Sequence, residues 1–296
     1  MQLSHGRTIA STLALARSRR VGPSRAYSVA PGAPPQASIV RSSKHEGLTF
    51  LQLDRAKAKN ALSVQMVHEL RQLIEEIRFD GVTRAVVLRS AVEGSFCAGA
   101  DLKERKTMDP LEVARFIYNL RRLLGELDDL PMPTIAAIDG PALGGGLELA
   151  LACDLRVAGA HVAKIGLPET RLAIIPGAGG TQRLSRLIGT SQAKDLIFTS
   201  RIMSAEEAQQ RGIVNYLAKS GQSACEAASQ VVAEMLQAGP LALRAAKTAI
   251  DVGAQIDVES GLDVERLSYQ TILHTQDRLE GLAAFAEKRK PAYKGL

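Results

Sequence analysis

Residues 133–159 read PTIAAIDGPALGGGLELALACDLRVAG. An unbroken apolar run at 134–138 gives way to a Gly/Pro turn. Gly144, Gly145 and Gly146 then open a stretch with helical apolar spacing, and 155–159 turns apolar again. Strand, turn, helix and strand in so short a span predict a crossover unit, and with it an α/β fold. The stretch also raises a question of chemistry. The most flexible residue is used three times running where strand must become helix, with Glu148 two positions later.

Working outward, the alternation continues on both sides. GLTFLQL (47–53) and RAVVLRS (84–90) predict strands, and 63–77 predicts a helix with Ser63 as its N-cap. Residues 110–127 predict an amphipathic helix started by Pro110. Beyond PGAGG (176–180) the spacing is largely helical to the C-terminus. Residues 31–47, rich in Pro and Ser, read as a linker. No internal sequence repeat and no second composition regime is visible.

The chain has 296 residues, 46% of them hydrophobic, enough for a substantial core. Aromatic residues make up only 4% and there is no Trp, which argues against a protein that stacks nucleic-acid bases. The net charge of +6 is uneven: Arg7, Arg17, Arg19, Arg20 and Arg25 precede the first acidic residue, Glu46, and without these five the balance is +1. This Arg- and Ser-rich, acid-free leader has the composition of a mitochondrial transit peptide over residues 1–31. No segment reaches the roughly 18 uninterrupted apolar residues of a membrane span, so no membrane partner is expected. Three cysteines without CxxC and five scattered histidines give no disulfide framework and no metal site.

Two places put glycine just ahead of a predicted helix, FCAGADLKE (96–104) and ALGGGLELA (142–150). Helix N-termini leave amide N–H groups unpartnered, and glycine lets a ligand come close to them. Neither stretch is GxGxxG or GxxxxGK[ST], and in PGAGGTQ (176–182) Gln182 stands where a third glycine would be. Nucleotide binding by a Rossmann or P-loop mechanism is therefore disfavoured. Two N–H groups aimed at one point would instead form an oxyanion hole. Glu148, and Glu169 in GLPET, are then candidates for acid and base work on one substrate. On residue type alone, Glu148 also reads as an acid favouring a helix dipole and Glu169 as a solvated loop residue.

From about residue 47 onward the chain resembles the crotonase (enoyl-CoA hydratase/isomerase) superfamily. The resemblance rests on FCAGADLKE, PTIAAIDGPALGGGLELALACDLRVA, IGLPETRLAIIPGAGGTQRL and DRLEGLAAFAEKRKPAYKG, in that order. FCAGADLKER, LAIIPG and the ending resemble its mitochondrial methylglutaconyl-CoA hydratase branch. The resemblance implies a spiral of repeated β-β-α units over 47–240, after a linker at 32–46, and a helical trimerisation region over 241–296. It implies a hydro-lyase of the mitochondrial matrix that adds water across the C2–C3 double bond of an enoyl-CoA. The thioester is 3-methylglutaconyl-CoA, or that of a general short-chain hydratase. CoA is part of the substrate, no separate cofactor is expected, and the enzyme would be a homotrimer or hexamer.

Residue by residue, the resemblance implies that the amides of Ala100 and Gly145 hold the thioester enolate. Glu148 and Glu169 would flank a water that the Gly177 amide helps to place. Ala98, Gly99, Asp101 and Leu102 fall in the substrate-contacting motif. Arg55, Lys57 and Ala61 lie in the segment matching the CoA-receiving loop, while Phe285 and Lys288 match residues that reach the CoA of a neighbouring subunit. Keeping both glutamates favours hydration over isomerisation, dehalogenation or hydrolysis, and argues against a decayed scaffold. RVAGAHVAKIG, between the glutamates, runs one residue longer than the family pattern, a difference a surface turn would absorb. Arg171, two residues past Glu169, is the sequence candidate for a distal substrate carboxylate; turned the other way it would face solvent or pair with Glu169.

Some of that branch are also classed as binding AU-rich RNA through a lysine-rich first helix. Here the corresponding segment, 59–78, balances Lys59, Arg71 and Arg78 against Glu69, Glu75 and Glu76. A neutral segment is a poor phosphate surface, so RNA is not the expected partner.

Matrix import followed by cleavage within about residues 20–35 is the expected fate of the leader. N-terminal sequencing of protein purified from the organelle checks it, and an intact Met1 would refute it.

Overall fold

The computed structural model describes residues 32–296; the leader lies outside the described residues. The main sheet is built from β1 (Ala37–Arg41), β2 (Leu48–Leu53), β3 (Ala85–Ser90), β4 (Thr134–Ile138), β6 (Leu155–Ala158) and β9 (Tyr216–Leu217), in that spatial order. β1 pairs antiparallel with β2, and every other neighbour is parallel. Runs such as AVVL and TIAAI suit this sheet because both its faces are covered. Alternate residues serve different layers. Leu48, Phe50, Val87, Ile135 and Val157 pack with Ala224, Ala228 and Val232 of the helix at Ala224–Met235. Leu51, Leu53, Leu88, Ala136 and Ile138 join the larger core on the other face.

The stretch read as a linker, 32–46, therefore begins the sheet. β1 runs alongside β2 in register from Ala37↔Leu53 to Arg41↔Thr49. The Glu69 carboxylate accepts the amides of Gln36 (2.7 Å) and Ala37 (3.0 Å) and anchors its start. The flanking Pro and Ser residues masked a five-residue strand, ASIVR, that is half apolar because it forms an edge.

The second layer explains the spiral. After β2, β3, β4 and β6 the chain turns, adds a short extended segment to a second row, and enters a helix. After β2, Leu62 bridges Ala100, and α1 (Val64–Phe79) follows; its cap, Ser63, accepts the Met66 amide at 3.0 Å. After β3, Cys97 bridges Ala142; α2 (Leu102–Lys106) and α3 (Pro110–Asp128) follow, the latter with an Asp109/Glu112 capping box. After β4 come β5 (Ala142–Leu143) and α4 (Gly145–Leu151); after β6 comes β7 (Ile165–Gly166), which pairs parallel with β5. α5 (Gly180–Ile188) and α6 (Thr190–Thr199) lead to β8 (Ile202–Met203), which closes the small sheet against β7. The two-residue strands carry no legible alternation, and the sequence showed only β2, β3, β4 and β6. The segment between the glutamates turns after β6, where Val162 N–H donates to Gly159 O at 3.0 Å.

α7 (Ala205–Gln210) leads to β9, and α8 (Ala224–Met235) covers the sheet. Helices α9 (Pro240–Gly253), α10 (Val258–Gln270) and α11 (Gln276–Ala286) end the chain. Lys247 of α9 docks this region: its Nζ donates to Asp154 at 2.9 Å, and Asp154 also accepts the Thr134 amide at 2.7 Å. Among the described residues no helix is long and apolar enough to cross a membrane. Lys247→Met leaves Asp154 without its cation in a largely buried setting, and is expected to lower unfolding free energy by about 1–3 kcal/mol. Urea denaturation of the pair of proteins measures this; an unchanged midpoint would mean α9 is held by its α10 contacts alone.

Candidate active site

The three glycines each answer a different constraint. Gly144 has φ +53°, and a Cβ there would stand 2.9 Å from Glu169 Oε1. Gly145 is the first residue of α4, and its Cβ would stand 3.4 Å from the Ala100 amide nitrogen. Gly146 packs α4 against the chain at Cys97: a Cβ would fall 2.1 Å from the Cys97 carbonyl oxygen, closer than any contact allows. The first therefore makes room for a carboxylate, the second for a ligand, and the third for neighbouring backbone.

The Ala100 and Gly145 amides are brought side by side. The bridge between Leu62 and Ala100 uses Leu62 N–H to Gly99 O (2.7 Å) and Asp101 N–H to Leu62 O (3.1 Å), which turns the Ala100 N–H away from that strand. Among the described residues neither the Ala100 nor the Gly145 N–H meets an acceptor. Both residues line a cavity of about 560 Å³ together with Ala98, Gly99, Leu102, Glu148, Glu169 and Gly177. Two vacant amides at one wall, one at a helix N-terminus, form a ready site for developing negative oxygen.

The carboxylates in this cavity are unequal. Glu148 is 3% exposed, and its Oε1 accepts the amides of Ala178 and Gly180, both at 2.8 Å. These amides belong to the turn PGAGG that opens α5. Burial pushes the Glu148 carboxyl above its ordinary range, while the two amides and the Arg183 and Arg121 guanidiniums pull against that shift. Glu169, at the start of a single 3₁₀ turn, has none of this support. Its Oε2 is buried without a hydrogen-bond partner. Burial, with the charge of Glu148 adding to it, pushes its carboxyl up to about 7. Burial thus raises both carboxyls; at Glu148 two amides and two guanidiniums work against the rise, while Glu169 is poised to carry a proton at neutral pH.

The remaining sequence candidates divide. Asp101 does not reach the cavity lining; it caps α2 and pairs with Arg55 at 2.7 Å. Burial works against its ionisation, but the Glu104 amide and Arg55 outweigh it and hold the carboxyl below the usual range. Arg55 also donates to the carbonyl of buried Ala61 at 2.8 Å, so these three form one brace behind the site. Lys57 is exposed nearby, in a 3₁₀ turn at Ala56–Ala58. Arg171 is exposed and outside the cavity lining, because the turn it sits in points Glu169 inward and Arg171 out. Phe285 (88% exposed) and Lys288 lie at the end of α11, outside the lining of this cavity. In the first helix Arg71 is taken up by Glu126 at 2.6 Å.

Sequence reasoning missed Ala178 and Gly180, whose signal was the glycine-rich turn dismissed as a failed nucleotide motif. It also missed Arg105 and Arg121, which line the cavity from α2 and α3. Arg121 donates to the Gly177 carbonyl at 2.6 Å and so fixes the same turn.

The profile of the enoyl-CoA hydratase/isomerase family matches residues 43–296. A probable mitochondrial enoyl-CoA hydratase 2 of Arabidopsis thaliana is 54% identical, covering 86% of this chain and 84% of that one. The mitochondrial methylglutaconyl-CoA hydratase of Homo sapiens is 48% identical over 85% of this chain and 75% of its own length. The crystal structure of an enoyl-CoA hydratase from Bacillus anthracis is similar at a TM-score of 0.85 and 45% identity, covering 88% of this chain and all (100%) of that one.

The raised carboxyl of Glu169 has a thermodynamic consequence. With a folded value near 7 against an ordinary 4.5, the folded protein holds this proton more tightly than the unfolded chain. Its contribution to stability is therefore full at acid pH, falls as pH rises through that window, and levels off above 7. Thermal melts of the wild type and Glu169→Gln across the window should differ in this sense, the wild type losing ground as pH rises. Parallel curves would place the titration elsewhere.

Proposed function

The chain belongs to the enoyl-CoA hydratase/isomerase family, and on that premise we propose that it hydrates the C2–C3 double bond of an enoyl-CoA. The observation that carries this reading is the unequal pair of glutamates sharing a cavity with two vacant amides. The thioester oxygen sits on the Ala100 and Gly145 N–H groups. Glu148, the better stabilised anion, takes a proton from water as the water oxygen bonds to C3. The electron pair of the double bond moves into the thioester enolate, where the amides stabilise it. Glu169 then delivers its proton to C2. The Gly177 amide, which lines the cavity and lacks a partner among the described residues, helps to hold the water. Exchange of the proton between the carboxylates through solvent resets the site.

The acyl group we assign is 3-methylglutaconyl, placing the reaction in leucine degradation within the mitochondrial matrix. The methylglutaconyl-CoA hydratases among the relatives support this, as does the mitochondrial designation that several carry. We also assign a homo-oligomeric state. Leu262 and Leu267 of α10 and Leu279, Leu282 and Phe285 of α11 are more than half exposed, an apolar surface that a second copy would cover.

Glu148→Gln and Glu169→Gln are each expected to reduce hydration by at least about 10²-fold, the scale of a positioned acid or base, with the fold retained by circular dichroism. Since Glu169 acts in its protonated form, the wild-type rate should decline above pH 7. Assays on crotonyl-CoA and 3-methylglutaconyl-CoA side by side test the acyl assignment, which requires the higher kcat/KM on the latter. Either variant keeping more than half of wild-type turnover would remove that residue from the mechanism.

A further inference from the structure

Two cations line the cavity, and they are in different situations. Arg121 is engaged with the Gly177 carbonyl. Arg105, from α2, lies with its guanidinium 5.5 Å from the centre of the Phe116 ring, and its Nε is buried without a hydrogen-bond partner. Leu102, Ile117, Leu120 and Ile174 surround the same space. A guanidinium donor withdrawn from water and left unpaired is destabilising. The ring face offsets part of this. A half-buried planar cation with one unpaired donor thus stands among apolar side chains at the cavity, an arrangement that favours a carboxylate.

We propose that Arg105 receives a carboxylate at the free end of the acyl chain. The cavity then takes the CoA monothioester of an unsaturated dicarboxylic acid in preference to that of a simple enoic acid. This rests on the hydratase reading above and supplies its specificity residue. It also replaces Arg171, which the fold turns to solvent. The reasoning is one of matched requirements. A distal carboxylate entering so apolar a space needs a cation, and the Arg105 donor needs an acceptor. A methyl terminus would satisfy neither.

The test separates binding from turnover. Saturated glutaryl-CoA and butyryl-CoA differ at the terminus by one carboxylate-bearing carbon and are not hydrated. Calorimetry should show tighter binding of glutaryl-CoA to the wild type, with Arg105→Met shrinking that preference by about tenfold or more, the scale of one charge-assisted contact. Arg105→Lys should recover part of it, which shows that the Met protein is folded and that charge matters. In turnover, the ratio of kcat/KM for glutaconyl-CoA over crotonyl-CoA should fall by a similar factor in Arg105→Met. Equal weakening of both thioesters would assign Arg105 to the CoA portion and overturn the proposal. So would a wild type without preference for glutaryl-CoA. If the wild type shows the binding preference but hydrates neither unsaturated thioester, the hydratase reading fails and the carboxylate site stands. If it hydrates crotonyl-CoA but binds glutaryl-CoA no better than butyryl-CoA, the reverse holds.

Discussion

The contact on which the site depends is the pair of N–H groups, from Ala178 and Gly180, that meet one oxygen of Glu148. A carboxylate buried this deeply is strongly destabilising unless its charge is answered. Two amides at the start of α5 answer it, in the direction the helix dipole favours. The fit leaves no slack: a Cβ on Gly180 would stand 2.9 Å from Pro176 Cβ and 3.0 Å from Glu148 Oε1. Helix α4 carries Glu148 and, at its first residue, one of the vacant amides. Securing the carboxylate to α5 therefore also fixes the position of that amide. Arg121 and Arg183 extend the anchorage, the first to the Gly177 carbonyl and the second to Asp128 on α3 at 2.8 Å.

This anchorage also creates the asymmetry that chemistry needs. Both glutamates suffer from burial, but Glu148 has two amides and two guanidiniums to counter it where Glu169 has only its own backbone amide. Glu169 is left with one unpartnered oxygen and a neighbouring negative charge, so its proton is retained up to neutral pH. Two residues of one type thus come to hold a proton with different strength because of their surroundings alone. The missing side chain of Gly144, whose Cβ would stand 2.9 Å from Glu169 Oε1, leaves room for that carboxyl beside the N-terminal end of α4.

Much of this was legible in the sequence because the strongest signals are local. TIAAI, AVVL and the capped helices announce themselves by periodicity, and Ser63 caps α1 as its type suggests. The motifs placed Ala100, Gly145, Glu148, Glu169 and Gly177, and the fold brings all five to one cavity. What escaped has physical reasons. Strands of two residues have no period, so β5, β7 and β8 were invisible. β1 was hidden by the prolines around it. Arg171 was misplaced because a 3₁₀ turn, unlike an extended strand, decides which of its side chains faces inward. Arg55 and Asp101 look like ligand-binding groups by type, but their charges are answered by each other. Ala178 contributes only a backbone amide, which no residue-type argument can single out.

The edge strand sets a limit on how the protein can be shortened or fused. Glu69 grips the chain at the amides of Gln36 and Ala37, and from there β1 shields the flank of β2 as far as Arg41. A boundary placed upstream of Gln36 leaves that grip intact. A boundary a few residues later strips the clasp and bares the hydrogen-bonding edge of an almost wholly buried strand. The molecule would then present a sticky margin, inviting other chains to pair along it. Residue 36 is in this sense the last upstream position at which the clasp survives whole.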